Sequence, residues 1–270
     1  MSQAQSELVA EPGAAPPRFS VPGGVRAYAV GDIHGQAGLL RTLQGMIDAD
    51  IAASPPAKIV EIYLGDYIDR GPESAAVIEA LTQPRPHRTV FLRGNHEDYL
   101  DLFLAGRDVL SPWLKRGGLA TLASYGIDPR FKANQAPRRR ALVSAMPGPH
   151  RAFIASLKLG YRLGDVFFVH AGIRPGVPIE RQERDDLLTI RRAFLEGDPV
   201  LPVRVVHGHT PQREPQVTPY RIGIDTGAFA TGRLTCAVLE GDGVRFLSTN
   251  TRPAGRERAD EPAGAPSRLD

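Results

Sequence analysis

Asp32, His34, Asp66, Asp69, Arg70, Asn95, His96, His170 and His209 are the residues of this chain whose types and spacing could do chemistry. They fall in five short blocks, in the order Gly31-Asp32-Ile33-His34-Gly35, Gly65-Asp66-Tyr67-Ile68-Asp69-Arg70-Gly71, Gly94-Asn95-His96-Glu97, His170-Ala171-Gly172 and Gly208-His209-Thr210. Carboxylate and imidazole are the donors that borderline divalent metals accept. A pair of ions needs a ligand that bridges, and a carboxylate can do so because its two oxygens can point at two ions. Asp66 lies centrally in the series and is the natural bridge. Two ions about 3.5–4 Å apart lower the pKa of a water between them and clamp phosphoryl oxygens during in-line displacement. An alkoxide is a poor leaving group and needs a positioned acid, a task histidine can perform near neutral pH. A guanidinium fork suits the non-bridging phosphate oxygens. The chemistry these residues spell out is two-metal hydrolysis of a phosphate ester.

A single Asp-Gly pair would be turn chemistry and nothing more. Loose turns have no reason to select four imidazoles, so the five blocks together exclude that reading.

The elements that must position these residues are legible beside them. Four blocks follow apolar runs: Tyr28-Ala29-Val30, Ile59-Val60-Glu61-Ile62-Tyr63-Leu64, Val90-Phe91-Leu92 and Val166-Phe167-Phe168-Val169. The fifth follows Val203-Arg204-Val205-Val206. Such β-branched and aromatic runs read as buried strands, and the glycine beyond each lets the chain turn sharply. Strands are expected at 26–31, 58–64 and 88–92, alternating with helices near 37–50, 73–82 and 97–105. Leu39, Leu40, Leu43 and Ile47 give the first helix its face; Pro72 begins the second, which ends before Pro84. This alternation implies parallel crossover units whose loops gather at the strands' C-terminal ends. From about 161 the pattern changes to strands joined by short turns, at 161–163, 166–170, 203–207, 221–225, 234–239 and 244–248, with Gly241-Asp242-Gly243 as a hairpin turn. A second sheet packed on the first is implied. Residues 97–158 form a helical insertion in which Trp113, Leu114, Leu119, Leu122 and Tyr125 read most simply as a core stripe.

The five blocks resemble the calcineurin-like metallophosphoesterases, specifically the phosphoprotein phosphatase branch with its GDxHG, GDxxDRG and GNHE blocks and two later histidines. The likeness covers about residues 26–247. Within the branch, His170–Arg184 and Gly208–Gly241 resemble bacterial Ser/Thr-phosphatase-like and diadenosine tetraphosphatase-like members. The resemblance implies an α/β fold, a two-sheet β-sandwich flanked by helices in four layers, α/β/β/α. It implies Asp32, His34 and bridging Asp66 as ligands of one metal, and Asn95, His170 and His209 as ligands of the other. His96 matches the proton donor, Asp69 the carboxylate that orients it, and Arg70 a phosphate-gripping arginine that Asn95 assists. A further such arginine is usual between the last two histidine blocks; Arg191 is the candidate, with Arg174 and Arg192 as rivals. Similar bacterial sequences tend to carry Trp where Thr189 stands, and Gly117-Gly118 with Trp113 resembles a segment near the site. Many metallophosphoesterases end in Gly-His-x-His, where this chain has Pro211, as in the phosphoprotein phosphatase branch. His207 precedes His209 by two residues, roughly 6–7 Å back along the strand, and reads as a packed or supporting histidine rather than a ligand.

Implied too is the reaction: hydrolysis of phosphate monoesters, phosphoserine or phosphothreonine first, by direct attack of a metal-bridging hydroxide and without a covalent phospho-enzyme. The alternative substrate is diadenosine tetraphosphate, cut symmetrically, whose mark would be an adenine-sized pocket over the metals. A phosphate-binding module without catalysis would need no proton donor, and the Asp69–His96 pair argues against it. Two divalent ions are the expected cofactors, with Mn²⁺ foremost and Fe, Zn, Ni and Co compatible, because nitrogen–oxygen sites discriminate weakly among first-row ions. The expected partners are a phosphorylated protein, a small phosphoester or a dinucleoside polyphosphate.

Composition sets the bounds. The chain has 270 residues, 42% of them hydrophobic, enough for one large α/β domain with a substantial core. That domain is expected over 25–251, between disordered tails at 1–24 and 252–270 rich in small and polar residues. No apolar run reaches the roughly 18–20 residues of a membrane span, and no signal peptide is read at the N-terminus. Cys236 stands alone in an apolar run, which excludes an intramolecular disulfide and makes a cytoplasmic location the default. A net charge of +3 does not call for nucleic acid. The densest basic cluster, Arg138-Arg139-Arg140 near Arg130 and Lys132, reads first as a solvated helix start and second as a recruiter of acidic substrate.

Overall fold

The computed structural model describes residues 18–128, 130, 134–196 and 201–249. Among them are the strands β1 (Val25–Val30), β2 (Lys58–Tyr63), β3 (Arg88–Phe91), β4 (Gly160–Leu163), β5 (Val166–Val169), β6 (Arg204–His207), β7 (Gln216–Val217), β8 (Arg221–Gly223), β9 (Thr235–Glu240) and β10 (Gly243–Ser248). One sheet has the order β10-β9-β1-β2-β3 and the other β4-β5-β6-β8-β7. In the first, β1, β2 and β3 are parallel, while β9 runs antiparallel to both its neighbours, β1 and β10. In the second, β5, β6 and β8 are parallel, with β4 and β7 antiparallel at its edges.

The strands' period of two distributes side chains between layers. Ala27 and Ala29 of β1 face the second sheet and join Ile62, Phe168, Val206 and Ile222 in the core between the sheets. Tyr28 and Val30 point the other way, into a core capped by helices. A third cluster, built on Phe167, Val169 and Val205, covers the outer face of the second sheet with Leu187, Ile190 and Phe194. The result is the four-layer sandwich the sequence implied. Both faces of β1 and β5 are buried, which is why their sequences do not alternate: β5 is apolar throughout, and β1 is broken only by Arg26, whose guanidinium is paired with Glu240 and Ser54 O.

The helices on the first sheet are α1 (Ala37–Ala53), α2 (Ser74–Thr82), α3 (Asn95–Leu104), α4 (Leu110–Lys115), α5 (Gly118–Ser124), α6 (Gln135–Ala145) and α7 (Gly148–Ser156). Leu40, Leu43 and Ile47 make the buried face of α1, as their spacing predicts. The second helix begins at Ser74, two residues beyond Pro72, and the third begins at Asn95 instead of 97. Asn95 and His96 therefore stand in the first turn of α3. Gly117 splits the expected 113–125 stripe into α4 and α5; Trp113 and Leu122 are fully buried, whereas Leu119 is 38% exposed.

Other expectations are corrected. The last two strands return to the first sheet, because β9 pairs with β1; that pairing is long-range and leaves no local mark. The two-residue β7 is exposed and has no periodicity to announce it. Arg138 is buried and Arg139 donates to the Leu104 carbonyl, so the arginine run is no uniform exposed patch; Lys132 lies outside the described residues. Of the expected N-terminal tail, Val21 is buried and its N–H donates to Gly241 O at 3.0 Å, tying that stretch to the sandwich. Residues 1–17 and 250–270 lie outside the described residues. Cys236 is buried on β9. No helix among the described residues is long and apolar enough to cross a membrane.

Candidate metal centre

Parallel strands put their C-terminal ends at one rim, and five of the six here deliver one cluster of polar side chains. The loops after β1, β2 and β3 carry Asp32 and His34, then Asp66, then Asn95 and His96; those after β5 and β6 carry His170 and His209. All of these are buried. Packing so many short polar side chains into one rim bends the backbone. His34, Asp66, Asp69, Arg70 and His209 have φ of 47°, 52°, 71°, 64° and 64°, and they are the non-glycine residues with positive φ among those described. Each such residue costs about 1–3 kcal/mol and persists only where its surroundings over-determine it. The strain is confined to the candidate site.

Glycine makes the approach of the two sheets possible at Gly208. A Cβ there would lie 2.1 Å from Asp32 Oδ1. Without one, the His209 N–H reaches Asp32 Oδ1 at 3.2 Å and Oδ2 at 3.1 Å, joining the β1 loop of one sheet to the β6 loop of the other.

Asp66 lies between two sets of imidazoles. Its Oδ2 is 3.5 Å from His34 Nε2 and 3.8 Å from His96 Nε2, and its Oδ1 is 3.4 Å from His170 Nε2. His34, Asp66 and His96 form one group of convergent donors, and Asp66, His170 and His209 the other. Ring orientation is set by backbone carbonyls: His34 Nδ1 pairs with Ile68 O at 2.9 Å and His170 Nδ1 with Leu64 O at 3.0 Å. Those bonds leave each Nε2 with a lone pair aimed at the cluster. Around His170 Nε2 stand Asn95 Oδ1 at 3.1 Å and His209 Nδ1 at 3.1 Å. His34 Nε2 and His209 Nε2 are buried with no hydrogen-bond partner. Burial pushes the pKa of His34 down to about 3 and that of His209 to about 2, so both rings are neutral. Neutral imidazole lone pairs, carboxylate oxygens and an amide oxygen converging without protons are a donor set that fits divalent cations.

Burial would push the Asp66 carboxyl up, but the imidazoles around it, His170 and His96 foremost, outweigh burial and hold it below the usual carboxylate range. Its loop hangs on Glu97, whose carboxylate accepts the N–H groups of Asp66 and Tyr67 at 2.8 Å, Gly94 at 3.0 Å and Ile68 at 3.3 Å. Glu97, whose place in the third block gives it no role by residue type alone, is thus the peg of the second block.

His96 Nδ1 lies 2.7 Å from Asp69 Oδ2, and its Nε2 is 3.3 Å from Arg70 Nη2. Burial alone would keep this ring neutral, yet the Asp66 charge and the Asp69 hydrogen bond outweigh it and raise the pKa. Asp69 is itself gripped by the insertion: Trp113 Nε1 donates to Oδ2 at 2.9 Å and the Thr121 hydroxyl donates to Oδ1. Trp113 is both core and partner, a double role its residue type permits but its spacing cannot reveal. Gly117, at φ 103°, lets this turn lie against Arg70, whose N–H reaches Gly117 O at 3.3 Å. Trp113→Phe keeps most of the ring and removes the N–H. Its expected cost is about 1.5–3 kcal/mol, the worth of a hydrogen bond to a charged group. A urea midpoint equal to the parent's would show that Asp69 does not need this donor.

A cavity of about 330 Å³ opens beside the cluster, lined by Asn95, His96, His209, Thr189, Tyr99 and three arginines, Arg70, Arg116 and Arg191. Arg191 is anchored by Nη2 to His209 O at 3.3 Å. Its rivals are engaged elsewhere, Arg174 with Asp186 at 2.6 Å and Arg192 with Glu196 at 2.8 Å. Arg116, which the sequence does not single out, lies 4.7 Å over the Tyr99 ring. On the other side Phe229, 39% exposed, meets the edge of His34 at 5.5 Å and the Arg70 guanidinium at 4.8 Å. His207 turns away: its Nδ1 donates to Gly208 O at 3.1 Å and its ring packs on Phe194 at 5.1 Å.

The chain is similar to known proteins to different degrees. The calcineurin-like phosphoesterase family model matches residues 25–244. The chain is 28% identical over 226 residues to the bis(5'-nucleosyl)-tetraphosphatase PrpE (asymmetrical) of Bacillus anthracis strain CDC 684 / NRRL 3495, covering 76% of this chain and 87% of that one. A crystal structure provisionally named a diadenosine tetraphosphatase superposes with a TM-score of 0.55 at 22% identity, covering 86% of this chain and 98% of that one. A protein serine/threonine phosphatase from Saccharomyces cerevisiae superposes with a TM-score of 0.51 at 14% identity, covering 86% of this chain and 82% of its own. The two superpositions speak for the fold, and the family match spans both sheets and all five blocks. The chain therefore belongs to the calcineurin-like phosphoesterases, a family of phosphoric-ester hydrolases that work with two divalent ions.

Proposed function

We propose that this protein is a two-metal hydrolase of dinucleoside polyphosphates, with Asp32, His34 and Asp66 holding one ion and Asp66, Asn95, His170 and His209 the other. When bound, the ions activate a water and neutralise phosphate charge; Mn²⁺ is the ion we assign. The remaining steps belong to side chains. Arg70 and Arg191 grip phosphate oxygens, and Asn95 faces the same cavity. His96 gives a proton from Nε2 to the leaving oxygen, while Asp69 holds Nδ1–H and so fixes the tautomer. The guanidinium beside Nε2 makes that atom a poor place for a further cation and a good one for a phosphate ester.

The observation that carries the substrate class is the trio of arginines around one cavity. A phosphomonoester is a dianion that one guanidinium fork can satisfy, whereas a tetraphosphate chain presents charge to all three. Phe229, 39% exposed, and the half-buried Tyr99 flank the centre with ring surface on which a base can stack. The relatives named for tetraphosphate hydrolysis support this reading. Their name specifies the asymmetrical cut, so AMP and ATP, not two molecules of ADP, are the expected products from diadenosine tetraphosphate. A second reading, a phosphoserine or phosphothreonine phosphatase, is favoured by the Asp69–His96 pair, because an alkoxide needs a proton more than an anhydride leaving group does. The lone buried Cys236 fits a reducing, cytoplasmic location for either.

A side-by-side assay of the Mn²⁺-loaded protein decides between them. We expect kcat/KM for diadenosine tetraphosphate to exceed that for phosphoserine and phosphothreonine peptides by more than an order of magnitude. The reverse ranking would hand the protein to the second reading.

A further inference from the structure

The six parallel strands end at one rim, and five of them deliver residues that the two-metal reading uses. The sixth, β8, delivers Asp225, which that reading leaves idle. Asp225 is only 2% exposed, in surroundings where an ionised carboxylate is costly unless something offsets its charge. One oxygen is accounted for: Oδ1 accepts the Gly227 N–H at 2.9 Å. The other, Oδ2, is buried without a donor. The carboxylate lies against that of Asp32 and in the fields of Asp66 and Arg70. The Asp225 charge pushes the Asp32 carboxyl up, a side-chain hydrogen bond joins the two acids, and Arg70 is a cation whose field reaches both. The loop that holds Asp225 is itself fixed. The Thr226 hydroxyl donates to Arg233 O at 2.7 Å and pairs with Thr235 Oγ1 at 2.9 Å, tying the turn to β9. An oxygen held this rigidly beside a ligand carboxylate is preorganised for a cation.

Resting on the two-metal reading above, we propose that Asp225 is a further oxygen donor at the metal position of Asp32 and His34, supplying a second negative charge there. It completes the rim: each parallel strand of both sheets then contributes a residue to the centre. It also explains why a turn that needs only one carboxylate oxygen keeps a fully buried acid instead of an amide.

Asp225→Asn separates this role from a structural one, because an asparagine Oδ1 can still accept the Gly227 N–H while the charge is lost. Isothermal titration with Mn²⁺ alone should show two ions on the wild-type chain. In the variant the first position should weaken by at least about 10- to 100-fold, the range that loss of even an outer hydrogen-bond partner of a ligand costs, with the second unchanged. Electron paramagnetic resonance at two equivalents of Mn²⁺ should change from an exchange-coupled pair toward isolated ions. Metal-free Asp225→Asn should melt no lower than the metal-free parent, since the amide oxygen keeps the Gly227 N–H and its NH₂ can donate to Asp32. Adding Asp32→Asn to it should weaken binding little beyond Asp32→Asn alone, since both act on one position. Unchanged affinities at both positions would overturn the proposal. So would a metal-free melting temperature that falls together with both affinities, the mark of a residue that merely holds the turn. A wild-type chain that takes up fewer than two ions would instead defeat the two-metal reading itself.

Discussion

Asp66→Asn is expected to abolish turnover and strip the centre of metal while leaving the fold in place. The fold should survive because the backbone at this position makes the bonds that matter. The Asp66 carbonyl accepts Ile33 N–H at 3.1 Å and His34 N–H at 2.9 Å, and its own N–H is held by Glu97 at 2.8 Å. Asparagine also tolerates the left-handed φ of 52° better than most residues. The centre should not survive. The carboxylate offers Oδ1 toward His170 and Oδ2 toward His34. An amide has one neutral oxygen, so it can serve only one side. Its NH₂ must then face an imidazole lone pair and donate to it, blocking a second donor. Elemental analysis of the purified variant, beside circular dichroism, reads both halves of the expectation. A variant with two ions and near-normal turnover would show that Asp66 does not bridge.

What could be read from residues alone, and what could not, divides along a physical line. Blocks that follow apolar runs are local, so the strands, their glycine turns and the convergence of five loops were legible. So was the avoidance of the centre by His207, which follows from its depth along β6. Long-range events were not. Nothing near Thr235–Glu240 marks its return to the first sheet, since an antiparallel strand buried on both faces looks the same in either sheet. Asp225 was hidden by a boundary: with the strand extended to 225 it counts as a strand residue, whereas β8 stops at Gly223 and leaves Asp225 on the rim. Its Asp-Thr-Gly pattern is the signal that could have exposed it. Arg116, Tyr99 and Phe229 have no such signal, because they reach the cavity or its flank from helices and helix ends whose relation to the rim is set by packing. The five left-handed residues are also invisible in sequence, for none of them is glycine. Their strain is imposed by the sandwich around them.

His96→Asn should leave metal content unchanged and lower the rate on alkyl phosphoesters by about 10²–10⁴, the range of general acid catalysis. The loss should shrink with p-nitrophenyl phosphate, whose leaving group needs little protonation. Asp69→Asn isolates the charge behind that acid. Its amide oxygen can replace Oδ2 and keep the bonds from His96 Nδ1 and Trp113 Nε1, while its NH₂ faces the Thr121 hydroxyl, which can accept. Geometry and tautomer are thereby kept, and only the negative charge is removed. The sign of the pH effect follows. Asp66 and Asp69 raise the His96 pKa against the burial that lowers it, so the protonated, donating form persists to higher pH than it otherwise would. Activity that depends on that proton falls as pH rises through the His96 pKa. Without the Asp69 charge the pKa drops, and the alkaline limb of the pH–rate profile for an alkyl ester should move to lower pH. With p-nitrophenyl phosphate the same variant should show little shift, because the step that needs the proton no longer limits the rate. An equal loss on both esters, with the alkaline limb unmoved, would make His96 an electrostatic or structural residue, and the proton would have to come from solvent.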